Sequence, residues 1–469
     1  LSEKVGFISL GCPKNRVDSE FMLGLLEREG LTPVQDPHEA DVLVVNTCTF
    51  IEQAQSESIR AILEAAQWKK KGRCRALVVA GCLAQRYGQE LRQEMPEIDV
   101  VLGTGRIEEL PHLVKEALNG RTAVDVGAPG YTPGLAPRLL STPPYLGYLK
   151  IAEGCDNRCS FCIIPSIRGR YRSRPPEVLV EEAAALAALG VKELVIVAQD
   201  ITAYGHDLSP KTSLEDLLRR LDRLDDIRWI RLLYTYPSRL GNSLLDAIAS
   251  SRRILPYLDL PLQHASAKVL REMRRPGDGE SYLRLIKDIR RQLPGVILRS
   301  SFIVGFPGED ESDFEELLTF LQQAALDRVG VFTYSPQEGT PAAERSDQVP
   351  AKIKEERHRR AMEVQQEIAR RQNRKRVGQV HDFLVEGTLG GGRLAGRWEG
   401  QAPEIDGRTI LRLPTKRGRP PAPGTFYSIV ITGAGPYDFE AELAGSPVAE
   451  AQNSQFGKGS STQGDITER

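Results

Sequence analysis

The sequence predicts an α/β chain in three parts: a parallel α/β domain over residues 1–120, a partial (β/α)6 barrel over 145–372, and a small antiparallel β-barrel over 373–444. Three observations lead there. Apolar strand-like runs alternate with helical patterns in two successive blocks, as in parallel sheets with helices packed on them. A stretch dense in Pro and Gly, residues 127–144, separates the blocks and marks a linker spanning 121–144. Beyond residue 380 the strand-like runs shorten and are divided by Gly and Pro, which suits a small OB-like barrel. A chain of 469 residues has room for about three domains of ordinary size.

In the first block, Val5–Gly11 reads as a buried strand running into Cys12. A helix is expected from Asp18, because Asp18, Ser19 and Glu20 suit a capped, acidic first turn. Asp41–Asn46 is a second strand and leads to Cys48; Ala76–Gly81 is a third and leads to Cys82; Asp99–Gly103 is a fourth. In an open α/β sheet the carboxyl ends of the strands share one rim, where ligands bind. Cys12, Cys48 and Cys82 are therefore expected to converge, although Cys is also a common buried residue at such strand ends. Cys74 precedes its strand and reads as structural.

The second block opens with a strand at Tyr145–Ile151, followed by Cys155, Cys159 and Cys162 at CxxxCxxC spacing. Structural zinc takes four ligands, and this loop offers three, with no fourth Cys or His nearby. Thiolates are the normal ligands of iron–sulfur clusters. Three of them can hold three corners of a [4Fe–4S] cube and leave one iron open to a small molecule. A zinc site completed by a distant ligand is the alternative.

Further strands are expected at Glu193–Ala198, Ile227–Leu233, Tyr257–Leu262, Val296–Val304 and Val329–Tyr334. Six βα units are too few to close an eightfold barrel, and the open side would admit a macromolecular substrate. Sites in such folds lie at the carboxyl ends of the strands. Gln199, Asp200 and Gln263 stand there, with His264 as a hydrogen-bonded wall rather than a metal ligand. So does the turn Gly305–Glu309, whose glycines allow close approach of backbone to a flat ligand. Arg168, Arg170, Arg172 and Arg174 form a cationic cluster that either binds acidic or phosphate groups or is a solvated face.

The net charge of −1 gives no global field for nucleic acid. Seven cysteines in a chain this long do not make a disulfide scaffold and suit a reducing compartment. No targeting segment opens the sequence, and no apolar run nears the ~18–20 residues of a membrane span. A soluble, cytoplasmic protein without a membrane partner is expected.

The cysteine loop, with Phe161 just before its last cysteine, resembles the signature of the radical S-adenosylmethionine enzymes. By that resemblance a [4Fe–4S] cluster on Cys155, Cys159 and Cys162 binds S-adenosylmethionine at its open iron. One electron then cleaves the sulfonium to a 5′-deoxyadenosyl radical. Ile303 to Glu309 is similar to that family's adenine-contacting stretch, with Ser301 where Gly is often found. Phe161, Gln199, Asp200, Gln263, Ile303, Gly305 and Glu309 are accordingly the expected cofactor contacts.

The second triad narrows the resemblance to the methylthiotransferases, in which Cys12, Cys48 and Cys82 would hold an auxiliary [4Fe–4S] cluster. The two open irons would then face one pocket. The C-terminal barrel resembles the family's TRAM module. Its acids Asp382, Glu386, Glu399, Glu404, Asp406, Asp438, Glu440 and Glu442 offset its cations, which favours a protein partner over single-stranded RNA. Leu10–Asn15, Val197–Asp200 with Thr202–Gly205, Tyr334–Thr340 and Ala402–Gly407 look like the branch acting on an aspartate of small-subunit ribosomal protein S-twelve. That branch implies an external electron donor and a sulfur donor. A transfer-RNA adenosine methylthiotransferase and a non-enzymatic iron–sulfur redox sensor are the alternatives. The tail over 445–469, rich in Ser, Gly, Gln and Asn, is expected to be disordered.

Overall fold

The computed structural model describes residues 3–129, 134, 137–413 and 421–444, so the tail expected to be disordered lies outside the described residues. In the N-terminal domain six parallel strands form one sheet: β1 (Lys4–Ser9), β2 (Thr32–Val34), β3 (Val42–Thr47), β4 (Ala76–Gly81), β5 (Val100–Leu102) and β6 (Ala123–Asp125). Their order is β2-β1-β3-β4-β5-β6. β2 and β6 have three residues each and no fully buried run, so they leave no apolar pattern to read. The strands that precede the cysteines, β1, β3 and β4, are neighbours with parallel register. Their carboxyl ends therefore share one short arc of the rim.

The first helix, α1 (Pro13–Arg28), starts five residues before the expected Asp18, with Pro13 opening its first turn. Asp18, Ser19 and Glu20 lie inside it and buried, so they do not cap it. Asp18 and Glu20 reach the rest of the protein, and Ser19 bonds to Ser9 and Asn46 within the domain. The described end of the expected linker, residues 137–144, is laid along this helix as a strap. Leu139 N donates to the Glu20 carbonyl at 3.1 Å, and Arg138 joins Glu20 and Glu182 at 2.6 Å each. A Cβ on Gly24 would stand 2.3 Å from the Pro137 carbonyl oxygen, so α1 needs glycine where the strap crosses.

The central domain begins with β7 (Leu146–Lys150), then the short pair β8 (Ala152–Glu153) and β9 (Arg172–Ser173) that brackets the cysteine loop. Then follow β10 (Glu193–Val197), β11 (Trp229–Leu232), β12 (Ile254–Asp259), β13 (Ile297–Val304) and β14 (Arg328–Thr333). The six main strands are parallel, in the order β7-β10-β11-β12-β13-β14, and the sheet does not close. Alternate residues face opposite sides. Leu149, Leu194, Ile196, Ile230, Leu258 and Leu298 pack outward under the helices. Tyr148, Val195, Val197, Trp229, Tyr257 and Ile297 face the concave side, where their buried cluster includes Val17 and Phe21 of α1.

That concave cluster also contains Phe383, Leu384 and Trp398 of the C-terminal barrel. This barrel is formed by β15 (Val380–Gly390), β16 (Arg393–Trp398), β17 (Thr409–Arg412), β18 (Phe426–Ala434) and β19 (Phe439–Leu443), closed in the order β15-β16-β17-β19-β18. β17 and β19 pair in parallel; the other pairs are antiparallel. A helix over Ala351–Arg374 leads into it. No helix among the described residues is long and apolar enough to cross a membrane.

Candidate functional site

The cysteines of the N-terminal sheet meet at its rim. Cys48 follows β3, and Cys82 opens α3 (Cys82–Glu94) directly after β4. Gly81 stands at φ +93°, and a Cβ there would lie 2.2 Å from Asn46 Oδ1, so the position takes glycine. The rim is braced from below: Asn15 Nδ2 donates to the carbonyls of Leu10 (2.8 Å) and Thr47 (3.0 Å), and Ser58 Oγ accepts from Cys48 N at 3.0 Å. Burial pushes the Cys48 thiol up, and the Cys82 thiol up to about 12. At Cys12 burial is outweighed by Lys14 and Arg168 with the amides of Asn15 and Lys14, which bring it below its ordinary value.

The second set sits in the loop between β8 and β9. Gly154, at φ +79°, packs its backbone so near Arg170 that a Cβ would stand 2.1 Å from that carbonyl oxygen. Cys155 N donates to the Gly169 carbonyl at 3.1 Å, and Cys162 N to that of Cys159 at 3.2 Å. Burial raises the Cys155 thiol and brings that of Cys162 up to about 12. Buried thiols of this kind keep their protons until a metal displaces them. All seven cysteines are free. Among the described residues no three Cys, His, Asp or Glu side chains converge on a single ion. Each set brings three free thiols, a donor set that fits three corners of a [4Fe–4S] cube.

The two sets lie against each other. Cys82 shares a small buried cluster with Ile163 and Ile167, in the segment just after Cys162. Arg168 follows in the same short helix, 2 % exposed, with Nη2 at 3.4 Å from Cys82 Sγ and 2.8 Å from Asn15 Oδ1. Its Nη1 reaches Asp18 of α1 at 2.7 Å and Glu153 at 3.1 Å. Lys150, at the end of β7, pairs with Asp18 and, at 2.5 Å, with Glu153. Two buried cations and two buried carboxylates thus pin the N-terminal domain onto the barrel mouth. Lys14 adds a contact over the Tyr234 ring at 3.4 Å, and Arg86 one to Gln337 at 2.8 Å.

The arginine run is accordingly no cationic mouth. Arg168 and Arg174 are buried and internally bonded, Arg174 to Glu182 at 2.5 Å. Arg170 is exposed. Neither the phosphate-binding nor the solvated-face expectation describes the buried pair.

The expected cofactor contacts divide. Phe161 and Ile303 come together on one apolar wall with Met273, Phe306 and Tyr334. Gln199 Nε2 donates to Glu153 at 2.9 Å, and its Oε1 is a buried acceptor with no donor. Asp200 lines a cleft of about 610 Å3 together with Cys155, Tyr171, Thr202 and Arg239. Its carboxylate accepts from Asn157 at 3.0 Å and Arg239 at 2.5 Å, so it braces the cysteine loop. Gln263, at φ +74°, extends the sheet through its backbone: Gln263 N donates to the Ser301 carbonyl at 2.9 Å, and Ile303 N to that of Gln263 at 2.7 Å.

Gly305 and Glu309 are engaged within the fold. A Cβ on Gly305 would stand 2.3 Å from Lys354 Cγ, so the helix over Ala351–Arg374 imposes that glycine. Glu309 is turned inward, accepting from Arg357 at 3.0 Å and the Phe306 amide at 3.1 Å. His264 is fully buried with Nδ1 accepting from Ser266 N at 3.0 Å; burial pulls it down to about 3 and it stays neutral. The sequence does not show Asn15, Asp18, Lys150, Glu153 and Arg275 as residues of the site. Lone polar residues at strand and helix flanks carry no pattern.

Comparison with known proteins accords with this geometry. Residues 4–103 match an uncharacterized protein family, UPF0004; residues 149–321 match the radical SAM superfamily; residues 377–444 match the TRAM domain. The chain is 52 % identical over 442 residues to the ribosomal protein uS12 methylthiotransferase RimO of Pelotomaculum thermopropionicum, covering 94 % of this chain and 99 % of that one. It is 51 % identical to the protein of the same name from Desulforudis audaxviator, covering 94 % and 97 %. Among solved structures, the radical S-adenosylmethionine methyltransferase TsrM of Kitasatospora setae, with cobalamin and a [4Fe-4S] cluster bound, has a similar fold at TM-score 0.54 and 18 % identity. That match covers 73 % of this chain and 77 % of that one.

Proposed function

The chain belongs to the RimO family of ribosomal protein uS12 methylthiotransferases, and we propose that it exchanges a Cβ–H of an aspartate in that protein for a methylthio group. The observation that carries this reading is the contact between the two cysteine sets: Arg168, six residues beyond Cys162, lies on Cys82. A sulfur carried at one set and a radical generated at the other have to meet without diffusing through water.

Cys155, Cys159 and Cys162 would hold the cluster that binds S-adenosylmethionine, and Cys12, Cys48 and Cys82 an auxiliary one. Bound there, these groups supply the electron that cleaves the sulfonium and a seat for the transferred sulfur. The protein's part is binding, orientation and exclusion of water. Phe161 and Ile303 offer an apolar face for the adenine, and Gln199 Oε1 an acceptor for a hydroxyl or ammonium group. Asp200, Asn157 and Arg239 hold the cysteine loop from the side of the 610 Å3 cleft. The four buried charges of Arg168, Lys150, Asp18 and Glu153 keep the two sets in register.

We place the protein in the cytoplasm on the ground of its ribosomal substrate, with an external electron donor and a sulfur donor as further partners. Kinship at half identity supports an enzyme over a redox sensor, and uS12 over transfer RNA. The test uses anaerobically reconstituted protein with Cys12, Cys48 and Cys82, or Cys155, Cys159 and Cys162, changed to Ala. Each triple variant is expected to lose about half the iron and sulfide. The first should still release 5′-deoxyadenosine, the second should not, and neither should add mass to uS12. Methylthiolated transfer RNA with unmodified uS12 would overturn the reading.

A further inference from the structure

Each cysteine set has one buried arginine on one of its sulfurs, and the two arginines differ in what balances them. Arg168, on Cys82, is met by the carboxylates of Asp18 and Glu153. Arg275, on Cys159, is not. Its Nη1 lies 3.8 Å from Cys159 Sγ, its Nη2 donates to the Pro261 carbonyl at 2.6 Å, and its guanidinium stacks on Tyr236 at 4.3 Å. Its Nε is buried without a hydrogen-bond partner. Arg275 is 8 % exposed, and among the described residues no carboxylate pairs with it.

The local chain is built to hold it there. The helix Ala267–Glu272 ends in a turn with Arg274 at φ +55°, and Arg275 N returns to the Leu270 carbonyl at 2.8 Å. The same turn grips the cysteine loop twice more. Ser160 Oγ donates to the Glu272 carbonyl at 2.6 Å, and Ser160 N to that of Met273 at 3.1 Å.

A buried cation without a carboxylate beside it is costly, and the atom that faces Arg275 Nη1 is Cys159 Sγ. We propose that Arg275 is a positioning residue that raises the reduction potential of the cluster on Cys155, Cys159 and Cys162. The inference rests on the reading that these three cysteines hold that cluster. The one-electron-reduced cluster carries one more negative charge, and a cation hydrogen-bonded to a ligating sulfur favours that state. At the auxiliary set Arg168 is paired with Asp18 and Glu153, whereas among the described residues Arg275 is paired with no carboxylate.

The test is a redox titration followed by electron paramagnetic resonance. It uses the full-length Cys12→Ala/Cys48→Ala/Cys82→Ala protein, which leaves one cluster to titrate. At the parent's midpoint, R275Q is expected to lower the reduced-to-oxidised ratio about tenfold, equivalent to about 59 mV for a one-electron couple. R275K, which keeps the charge, is expected to stay near the parent. R275Q with full iron content and an unmoved midpoint overturns the proposal. If R275Q does not load iron, R275K decides: loading near the parent midpoint supports the charge role, and a lowered midpoint or no loading overturns it. A parent that binds no iron overturns the underlying ligand reading instead, and the proposal with it.

Discussion

Replacing Glu193 by Gln should loosen the C-terminal barrel from the central sheet. Glu193 opens β10 and is fully buried. One oxygen accepts from Arg231 of β11 at 2.7 Å, and the other from Arg397 of β16 at 2.6 Å. One carboxylate therefore joins three strands from two domains. Arg397 keeps a second carboxylate, Glu386, at 2.7 Å. Arg231 has in addition the Glu399 carbonyl at 3.0 Å, and its Nη2 is buried without a partner. The amide keeps the shape but leaves Arg231 as a buried cation without a counter-ion, a change that costs about 3–5 kcal/mol. At urea slopes of about 1–3 kcal/mol per molar the midpoint should fall by at least about 1 M. Trp229 meets Phe426 edge-on across this interface, with ring centroids 4.9 Å apart, so tryptophan fluorescence reads the event. A Trp68→Phe background removes the tryptophan of the N-terminal domain. The sign with pH is fixed as well. Burial pushes the Glu193 carboxyl up, but Arg397 and Arg231 overcome it and hold it below its ordinary value. A depressed folded pKa gives stability that is full above the unfolded value of about 4.3 and is lost as pH falls through the folded one. The gap between parent and E193Q should thus be complete at pH 7 and close in acid. An unmoved midpoint at pH 7, or a gap that widens on acidification, refutes the reasoning.

Three further outcomes are expected. Asp18→Asn removes a carboxylate that faces both Arg168 and Lys150; iron content and 5′-deoxyadenosine release should persist while methylthio transfer to uS12 slows at least about tenfold, about 1.4 kcal/mol of misalignment, as read by mass spectrometry of the product. Cys74→Ala should leave iron and sulfide unchanged in the reconstituted protein, because that thiol is buried, pushed up to about 11 by burial, and donates to the Ala76 carbonyl at 3.3 Å. Gly154→Ala forces a Cβ onto the Arg170 carbonyl at positive φ; it should cost about half the iron and all 5′-deoxyadenosine, and retention of both would show that the loop can re-form around a side chain.

The strands before the cysteines were legible because β3 and β4 are buried on both faces and read as unbroken apolar runs. Position then did the rest: three cysteines at three strand ends converge if the strands are neighbours, as β1, β3 and β4 are. β12 was read three residues late, at Tyr257–Leu262. Pro256 broke the pattern at its start, where the structure leaves that proline exposed, and Leu260-Pro261-Leu262 extended it past the true end at Asp259. What could not be read is charge pairing across distance. Asp18 and Lys150 are 132 residues apart and Asp18 and Arg168 are 150 apart, and neither shows its partner locally. Gly305 depends on distance in the same way: its motif suggests a ligand, and the structure adds that a Cβ there would meet Lys354, from a helix far along the chain.

The acids of the C-terminal barrel show how such pairing changes a functional argument. Their number suggested a protein partner, on the premise that they face one. Asp382 is held by Arg228 at 2.8 Å, Glu386 by Arg397 at 2.7 Å and Glu399 by His381 at 2.7 Å. Glu404 pairs with Arg16 of α1 at 2.8 Å, and Asp406 accepts from the Tyr257 hydroxyl at 2.8 Å inside the concave face. The loop Ala402–Gly407, which looked like a substrate-branch signature, is thus where the module locks onto the other two domains. Asp382, Glu404 and Asp406 are engaged in assembly, Glu386 and Glu399 within the module, and Asp438, Glu440 and Glu442 are exposed, so the total is no measure of what docks outside. The partner is read from kinship instead. The module's demonstrable work is to fill the concave side of the sheet, where Phe383, Leu384 and Trp398 join Tyr148, Trp229 and Tyr257 in one buried cluster.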